Sequence, residues 1–271
     1  MLGGRALKRI VDKFADLAKK NEKALICFLT GGDPDFELSE ILVQKIAKAG
    51  ADIIEIGVPF SDPLADGPSI QASTFRSLRN GATVSKVLSS LKKIRKTCDV
   101  PIVLMSYFNP VRAYGLELFA NDAKNAGADG VIMTDLPPEE ADDWKKAADD
   151  SNLATIFLVA PTSTEERLNL CAKLASGFIY CVSRTGVTGA RKDLPTELKE
   201  LVDHIKSKTQ TPVVIGFGIS TPEHVKQVSA FADGAVVGSA LVNIVSNNLD
   251  DRDKIIDEAI KYVSSLKLAT K

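Results

Sequence analysis

The chain alternates short apolar runs with longer segments whose apolar residues recur every three or four positions. Eight runs are rich in Val, Ile and Leu and mostly lack strict polar alternation: residues 25–29, 52–56, 101–105, 129–133, 154–159, 178–182, 212–216 and 234–238. A strand covered on both faces reads this way, because neither set of alternate side chains meets water. The segments between them have helical spacing. Leu38, Ile41, Leu42, Ile46 and Ala49 mark a helix over 36–49, and Val84, Val87, Leu88, Leu91 and Ile94 mark another over 83–96. Leu198, Leu201 and Ile205 predict a helix over 196–207, and Ile255, Ile256, Ile260 and Val263 one over 252–266. Pro222 stands near the start of a further helix, where its missing N–H is no loss. A helical pattern over 5–20 precedes the first strand and is expected to cap one end of whatever the strands build.

A weak repeat organises these pieces. AGADIIEIG at 49–57, AGADGVIMTD at 126–135 and FADGAVVGS at 231–239 share one form: a helix ends at a small residue, a short turn follows, and a buried strand begins. Eight such units predict a (β/α)8 TIM barrel with an additional N-terminal helix, occupying 1–271 as a single domain. The competitor is a doubly wound open sheet. It would leave uncovered edges, and the usual nucleotide fingerprint is absent.

Charge and cysteine content narrow the class. Lys and Arg total 34, Asp and Glu 35, for a formal net charge of -1, so nothing points to nucleic acid or an acidic membrane. Cys27, Cys98, Cys171 and Cys181 form no CxxC pair and are expected to be buried thiols in a reducing compartment. No run approaches the roughly 18 apolar residues of a membrane span, and the N-terminus lacks a signal-peptide pattern. A cytoplasmic enzyme is the expectation; an organelle enzyme without its transit peptide would read the same.

Two kinds of chemistry stand at the carboxyl ends of the strands. Glycines follow the last three: Gly186 and Gly189, then Gly216 and Gly218, then Gly238 with Ser239. Glycine lets backbone N–H groups approach an anion, and a helix beginning after Gly238-Ser239 would add its own donors. No lysine accompanies them, and Arg184 is the nearest cation. Neutral donors suit a phosphate ester held as an anchor. At the other end, Glu55 lies inside an apolar run. Burial would raise its pKa towards that of a general acid–base group, unless it is an ion-paired structural residue. The proline-rich loop after it carries Asp62 and Asp66, which are turn formers or, for Asp66, a second carboxylate over the pocket.

The segment GVPFSDPLADGP at 57–68, with Glu55 two residues before it, resembles the active-site segment of the tryptophan synthase alpha subunit family. The likeness continues through Phe28, the run from Thr30 to Pro34, Met105 to Pro110, Asp135 to Pro137, Ser183 to Gly189, Gly216 to Ser220, and Gly238-Ser239. Gly31-Gly32 stands where Ala-Gly is expected, and the run from Ser106 to Asn109 is a variant of the family's segment. The resemblance implies a lyase that cleaves indole-3-glycerol phosphate to indole and glyceraldehyde 3-phosphate without a cofactor or metal. It implies that Glu55 is the acid–base group and that Asp66 binds the indole N–H.

It also implies that Phe28 and Tyr180 wall the ring, although either would serve as ordinary core. Tyr107 and Asp135 match the rim, Thr188 a residue that meets Asp66 when the stretch 183–195 closes as a lid, and Gly189, Gly218, Gly238 and Ser239 the phosphate donors. The implied partner is a pyridoxal-phosphate-dependent beta subunit in an alpha2-beta2 heterotetramer. Three alternatives remain open: a stand-alone lyase releasing free indole, a weakly active barrel that mainly activates a partner, and a sugar-phosphate isomerase. The last would want a Lys or His beside the substrate, whereas His204 and His224 fall in helical patterns.

Overall fold

A computed structural model describes residues 5–182, 196–216 and 218–271. The strands are β1 (Ala24–Thr30), β2 (Ile53–Gly57), β3 (Ile102–Ser106), β4 (Gly130–Met133), β5 (Ala154–Ile156), β6 (Leu158–Val159), β7 (Ile179–Val182), β8 (Val213–Gly216) and β9 (Gly234–Val237). All pair in parallel in the order β5-β4-β3-β2-β1-β9-β8-β7-β6. The two ends of that order are one length of chain. β5 bonds to β4, β6 bonds to β7, and only Phe157 stands between them, its carbonyl accepting the Tyr180 N–H at 3.0 Å. The expected strand over 154–159 is therefore one stave shared between two neighbours, and the sheet closes into a TIM barrel rather than an open sheet.

The helices are α1 (Arg5–Lys19), α2 (Phe36–Ala49), α3 (Pro68–Arg79), α4 (Val84–Ile94), α5 (Phe108–Tyr114), α6 (Leu116–Ala126), α7 (Asp142–Asp150), α8 (Glu165–Leu174), α9 (Thr196–Lys208), α10 (Pro222–Ser229), α11 (Ser239–Ser246) and α12 (Arg252–Leu268). α2 shows why the pattern was readable. Asp35 accepts the Leu38 N–H to start it, Leu38, Leu42 and Ile46 are buried along one face, and Gly50 ends it at a φ of 118°. None of the described helices is long and apolar enough to cross a membrane.

Two apolar cores result. Outward residues such as Leu25, Cys27, Ile54, Leu104, Val131 and Ile215 pack against the helices. The alternate set, including Ile26, Ile53, Val103, Ile132, Phe178 and Val214, fills the barrel. Ile10, Phe14 and Leu17 of α1 join that inner core, with the Phe14 and Phe178 rings 6.1 Å apart. α1 thus plugs the amino end of the barrel, as its position before β1 suggested. All four cysteines are buried and unbridged.

The repeated aspartates share one structural job at that end. Asp52 accepts the Leu25 N–H at 2.9 Å, Asp129 the Ile102 N–H at 2.8 Å, and Asp233 the Val213 N–H at 2.9 Å. Each also donates its own N–H to the carbonyl of the same partner residue. Ser176, before β7, does the same for Thr155. The aspartates are neutralised locally: Asp52 by Lys267, Asp129 by Arg9 and Arg95, and Asp233 by Lys206. These brackets hold strand starts, far from the chemistry, and leave the carboxyl end for function.

Candidate active site

Glu55 sits in the middle of β2, in register with Phe28 on β1 and Val103 on β3. Alternation points it into the barrel, since Ile53 two residues earlier belongs to the inner core. It is 1 % exposed, and neither carboxylate oxygen has a hydrogen-bond partner. Burial alone pushes its pKa up to about 8. The ion-paired structural reading of Glu55 fails on this point. A buried carboxyl with two empty oxygens is poised to hold a proton at neutral pH and to pass it on.

Two glycines make room beside it. A Cβ on Gly57 would lie 2.6 Å from Cζ of Phe28, and one on Gly216 would lie 2.1 Å from the Tyr180 hydroxyl. The rings of Phe28 and Tyr180 therefore lie across the strands where side chains are missing. Tyr180 is fully buried, and both burial and the nearby Glu55 charge raise its pKa well above the usual value.

Asp66 enters from the loop after β2. Its carboxyl is partly buried, and desolvation raises its pKa to about 6, while a hydrogen bond from Tyr107 pulls the other way. The Tyr107 hydroxyl also accepts the Ala65 N–H at 2.9 Å, and its own pKa is pushed up to about 12 by burial and by Asp66. The Phe60 and Tyr107 rings meet at a tilt of 40°, with centroids 5.4 Å apart. Phe28, Gly57, Asp66 and Tyr107 line one narrow cavity of about 20 Å³, together with Ile70, Thr74, Met105 and Thr134. Glu55 lies one layer below Gly57 on the same inward face. β2 and the loop that follows it thus carry two carboxyls of unequal pKa, the condition for dividing acid and base roles.

Asp135 does something else. It is exposed, and its carboxylate accepts the Phe108 N–H at 2.7 Å, fixing the turn that carries Tyr107. Gly218, Gly238 and Ser239 stand at the ends of β8 and β9. Gly218 has a φ of 77°, which disfavours other residues, and has open space on its Cβ side. Among the described residues no side chain caps α11 at Gly238, and a helix start of this kind presents backbone N–H groups. Thr188, Gly189, Arg184 and the stretch 183–195 lie outside the described residues.

Sequence reasoning passed over Ile70, Gln71, Thr74 and Thr134. The first three sit within two turns of the Asp66 loop, where helical spacing after Pro68 would have pointed to them. Neither histidine lines the cavity. His204 pairs with Glu165 at 2.7 Å, and Nδ1 of His224 accepts the Ser220 N–H at 3.4 Å. Among the described residues, no cluster of three or more His, Cys, Asp or Glu could hold a metal ion.

A larger cavity of about 690 Å³ opens at the amino end, beside Phe14, Leu17, Lys206 and Asp233. Size does not make it the reacting site. Lys206 is paired with Asp233 at 2.9 Å and Glu22 with Lys267 at 3.2 Å, whereas the Glu55 carboxyl has no partner.

Comparison with known proteins agrees with this geometry. Residues 14–271 match the family model described as tryptophan synthase alpha chain. The tryptophan synthase alpha chain of Geotalea uraniireducens is 49 % identical over 265 residues, covering 98 % of both chains. That of Geotalea daltonii is 53 % identical over 234 residues, covering 86 % of this chain and 89 % of its own. The crystal structure of tryptophan synthase subunit alpha from Legionella pneumophila superposes with a TM-score of 0.90 at 38 % identity, covering 97 % of this chain and 98 % of that one. A likeness that runs from α1 to the last residue, in sequence and in backbone alike, leaves one assignment: the chain belongs to the tryptophan synthase alpha chain family.

Proposed function

We propose that the chain cleaves indole-3-glycerol phosphate to indole and glyceraldehyde 3-phosphate, with Glu55 and Asp66 as its catalytic pair. Protonated Glu55 gives its proton to C3 of the indole ring. The carboxylate so formed takes the proton of the glycerol hydroxyl next to the scissile bond. As that hydroxyl becomes an aldehyde, the electron pair of the carbon–carbon bond returns to the ring and releases neutral indole. Glu55 ends protonated, as it began, so the step needs no metal, Schiff base or redox group.

Asp66, ionised above pH 6, accepts the indole N–H and stabilises the positive charge on the C3-protonated ring. Phe28 and Tyr180 flank the ring, Tyr107 holds Asp66, and Asp135 holds the Tyr107 turn. Gly218, Gly238 and Ser239 receive the phosphate, with Gly189 as a further donor and Thr188 closing on Asp66.

The observation that carries this reading is the pair of buried, unpartnered oxygens on Glu55. The reaction has one proton to deliver and one to collect, and those oxygens are the two places to do so. The reading extends to residues 1–271 acting as one barrel domain in the cytoplasm, and to a beta subunit that consumes the indole within an alpha2-beta2 heterotetramer. Indole release from indole-3-glycerol phosphate by the purified chain, with and without added beta subunit, tests it. Release in either condition, strengthened by the partner, is expected; none in both would overturn the assignment.

A further inference from the structure

α3 is unlike the other long helices around the barrel. Its buried residues are Ser73, Thr74 and Ser77, with no large apolar side chain among them. Such a face gains little from hydrophobic packing, so directional contacts must set its position. They are short and mostly buried. The hydroxyls of Ser73 and Thr30 meet at 2.6 Å, and Ser77 donates to the Gly31 carbonyl at 2.6 Å. A Cβ on Gly32 would lie 2.9 Å from the Ser77 hydroxyl, so the glycine there lets the helix come this close.

Two longer side chains work at opposite ends of the helix. Near its start, Nε2 of Gln71 donates to the backbone carbonyl of Asp66 at 2.8 Å and approaches that of Pro63 at 3.5 Å. It grips the loop on both sides of Leu64 and Ala65. Near its end, Arg76 forms a two-pronged pair with Asp33, at 2.8 Å for each prong, and donates to the Ser246 hydroxyl of α11 at 2.9 Å. Asp33 is 5 % exposed. A planar fork held by a buried carboxylate fixes direction as well as distance.

We propose that α3 is a strut between the two ends of the substrate site, and that Gln71 and Arg76 are its positioning residues. Arg76 sets the helix relative to the carboxyl end of α11, the helix whose amino end at Gly238-Ser239 is the proposed phosphate anchor. Gln71 sets the Asp66 loop relative to the helix. Together they fix the span from phosphate anchor to ring-binding carboxylate. Neither residue touches the reacting atoms. The inference rests on Asp66 being the carboxylate that meets the indole ring.

The test uses Gln71→Met, Arg76→Met, Arg76→Lys, the double variant Gln71→Met/Arg76→Met, and Asp66→Asn, assayed with indole-3-glycerol phosphate and the beta subunit present. Gln71→Met is expected to lower kcat about 10-fold or more with KM changed less than about 3-fold, because a small misplacement of a reacting group is costly. The acidic limb of its pH profile moves below the wild-type position, since a released loop lets water reach Asp66. Arg76→Lys keeps the charge, loses the fork, and reproduces much of the Arg76→Met loss. The double variant loses less than the product of the two single losses, because both act through one helix.

Wild-type kcat and an unmoved acidic limb in Gln71→Met would overturn the strut. So would independent losses accompanied only by lower resistance to urea, which mark a merely structural helix. If Arg76→Met does not fold, Arg76→Lys and Gln71→Met decide the matter on the same readouts. Asp66→Asn reports separately: full kcat there removes the role of Asp66 itself, whatever α3 does.

Discussion

Exchanging Glu55 for Gln removes a charge that the barrel interior resists, and the effect on stability can be worked out. The ordinary pKa of 4.5 applies to Glu55 in the unfolded chain, and burial raises it to about 8 in the fold. Between those values the folded state binds more protons than the unfolded one. Stability contributed by the protonated carboxyl is fully present below pH 4.5, falls steadily as pH rises, and is gone above about 8. At pH 7 the loss covers two and a half pH units at about 1.4 kcal/mol each, or about 3.5 kcal/mol.

Gln has nearly the same shape and never ionises, so its own burial cost does not vary across this range. The stability of Glu55→Gln relative to wild type is therefore expected to rise by about 3.5 kcal/mol from pH 4.5 to 7, and by about 5 kcal/mol by pH 8.5. Urea unfolding of both proteins at pH 5, 7 and 8.5 measures the difference, and groups elsewhere cancel. Trp144, the sole tryptophan and 2 % exposed, supplies the fluorescence signal. The same variant releases no indole. Parallel pH dependence in the two proteins would refute the reasoning, because it would mean that Glu55 keeps its charge in the fold.

The unequal pKa values of the pair also shape catalysis. With Asp66 needed ionised and Glu55 needed protonated, kcat/KM rises as pH passes about 6 and falls as it passes about 8; a pH profile without the alkaline fall contradicts the assigned proton donor. At the opposite end, Asp129→Ala strips the partner from Arg9 and Arg95 and the acceptor from the Ile102 N–H. A loss of about 3–5 kcal/mol in urea unfolding is expected, with kcat of the folded fraction unchanged.

Periodicity made the staves readable because each run is buried on both sides, and the expected ends fall within a residue or two of those observed. The run 154–159 is an instructive exception. Apart from Thr155 its letters are apolar, and nothing in them reveals that the stave changes partner at Phe157, a matter of closure geometry. α3 was invisible to apolar spacing because its buried face is Ser73, Thr74 and Ser77. Glu55 was legible as a lone carboxylate in an apolar run. Asp66 was legible from its loop only as one of two readings, a turn former or a second carboxylate, and the resemblance favoured the second. The repeat contains Asp52, Asp129 and Asp233, whose shared job only the structure reveals, and Ser176 does the same work outside it with a different side chain.

Those four brackets join β1 to β2, β3 to β4, the stave of β5 and β6 to β7, and β8 to β9. Among the described residues, no matching bracket joins β2 to β3, β4 to β5, β7 to β8 or β9 to β1. The barrel is thus four clasped pairs of staves, with plain sheet hydrogen bonding along the seams between pairs. Glu55 and Asp66 belong to the first pair, and Gly218 and Gly238 follow the strands of the last, so the substrate site proposed above lies across the seam where the circle of the chain closes. A molecule reaching from the carboxylates to the glycines would span that seam, serving as the clasp that the fold itself omits there.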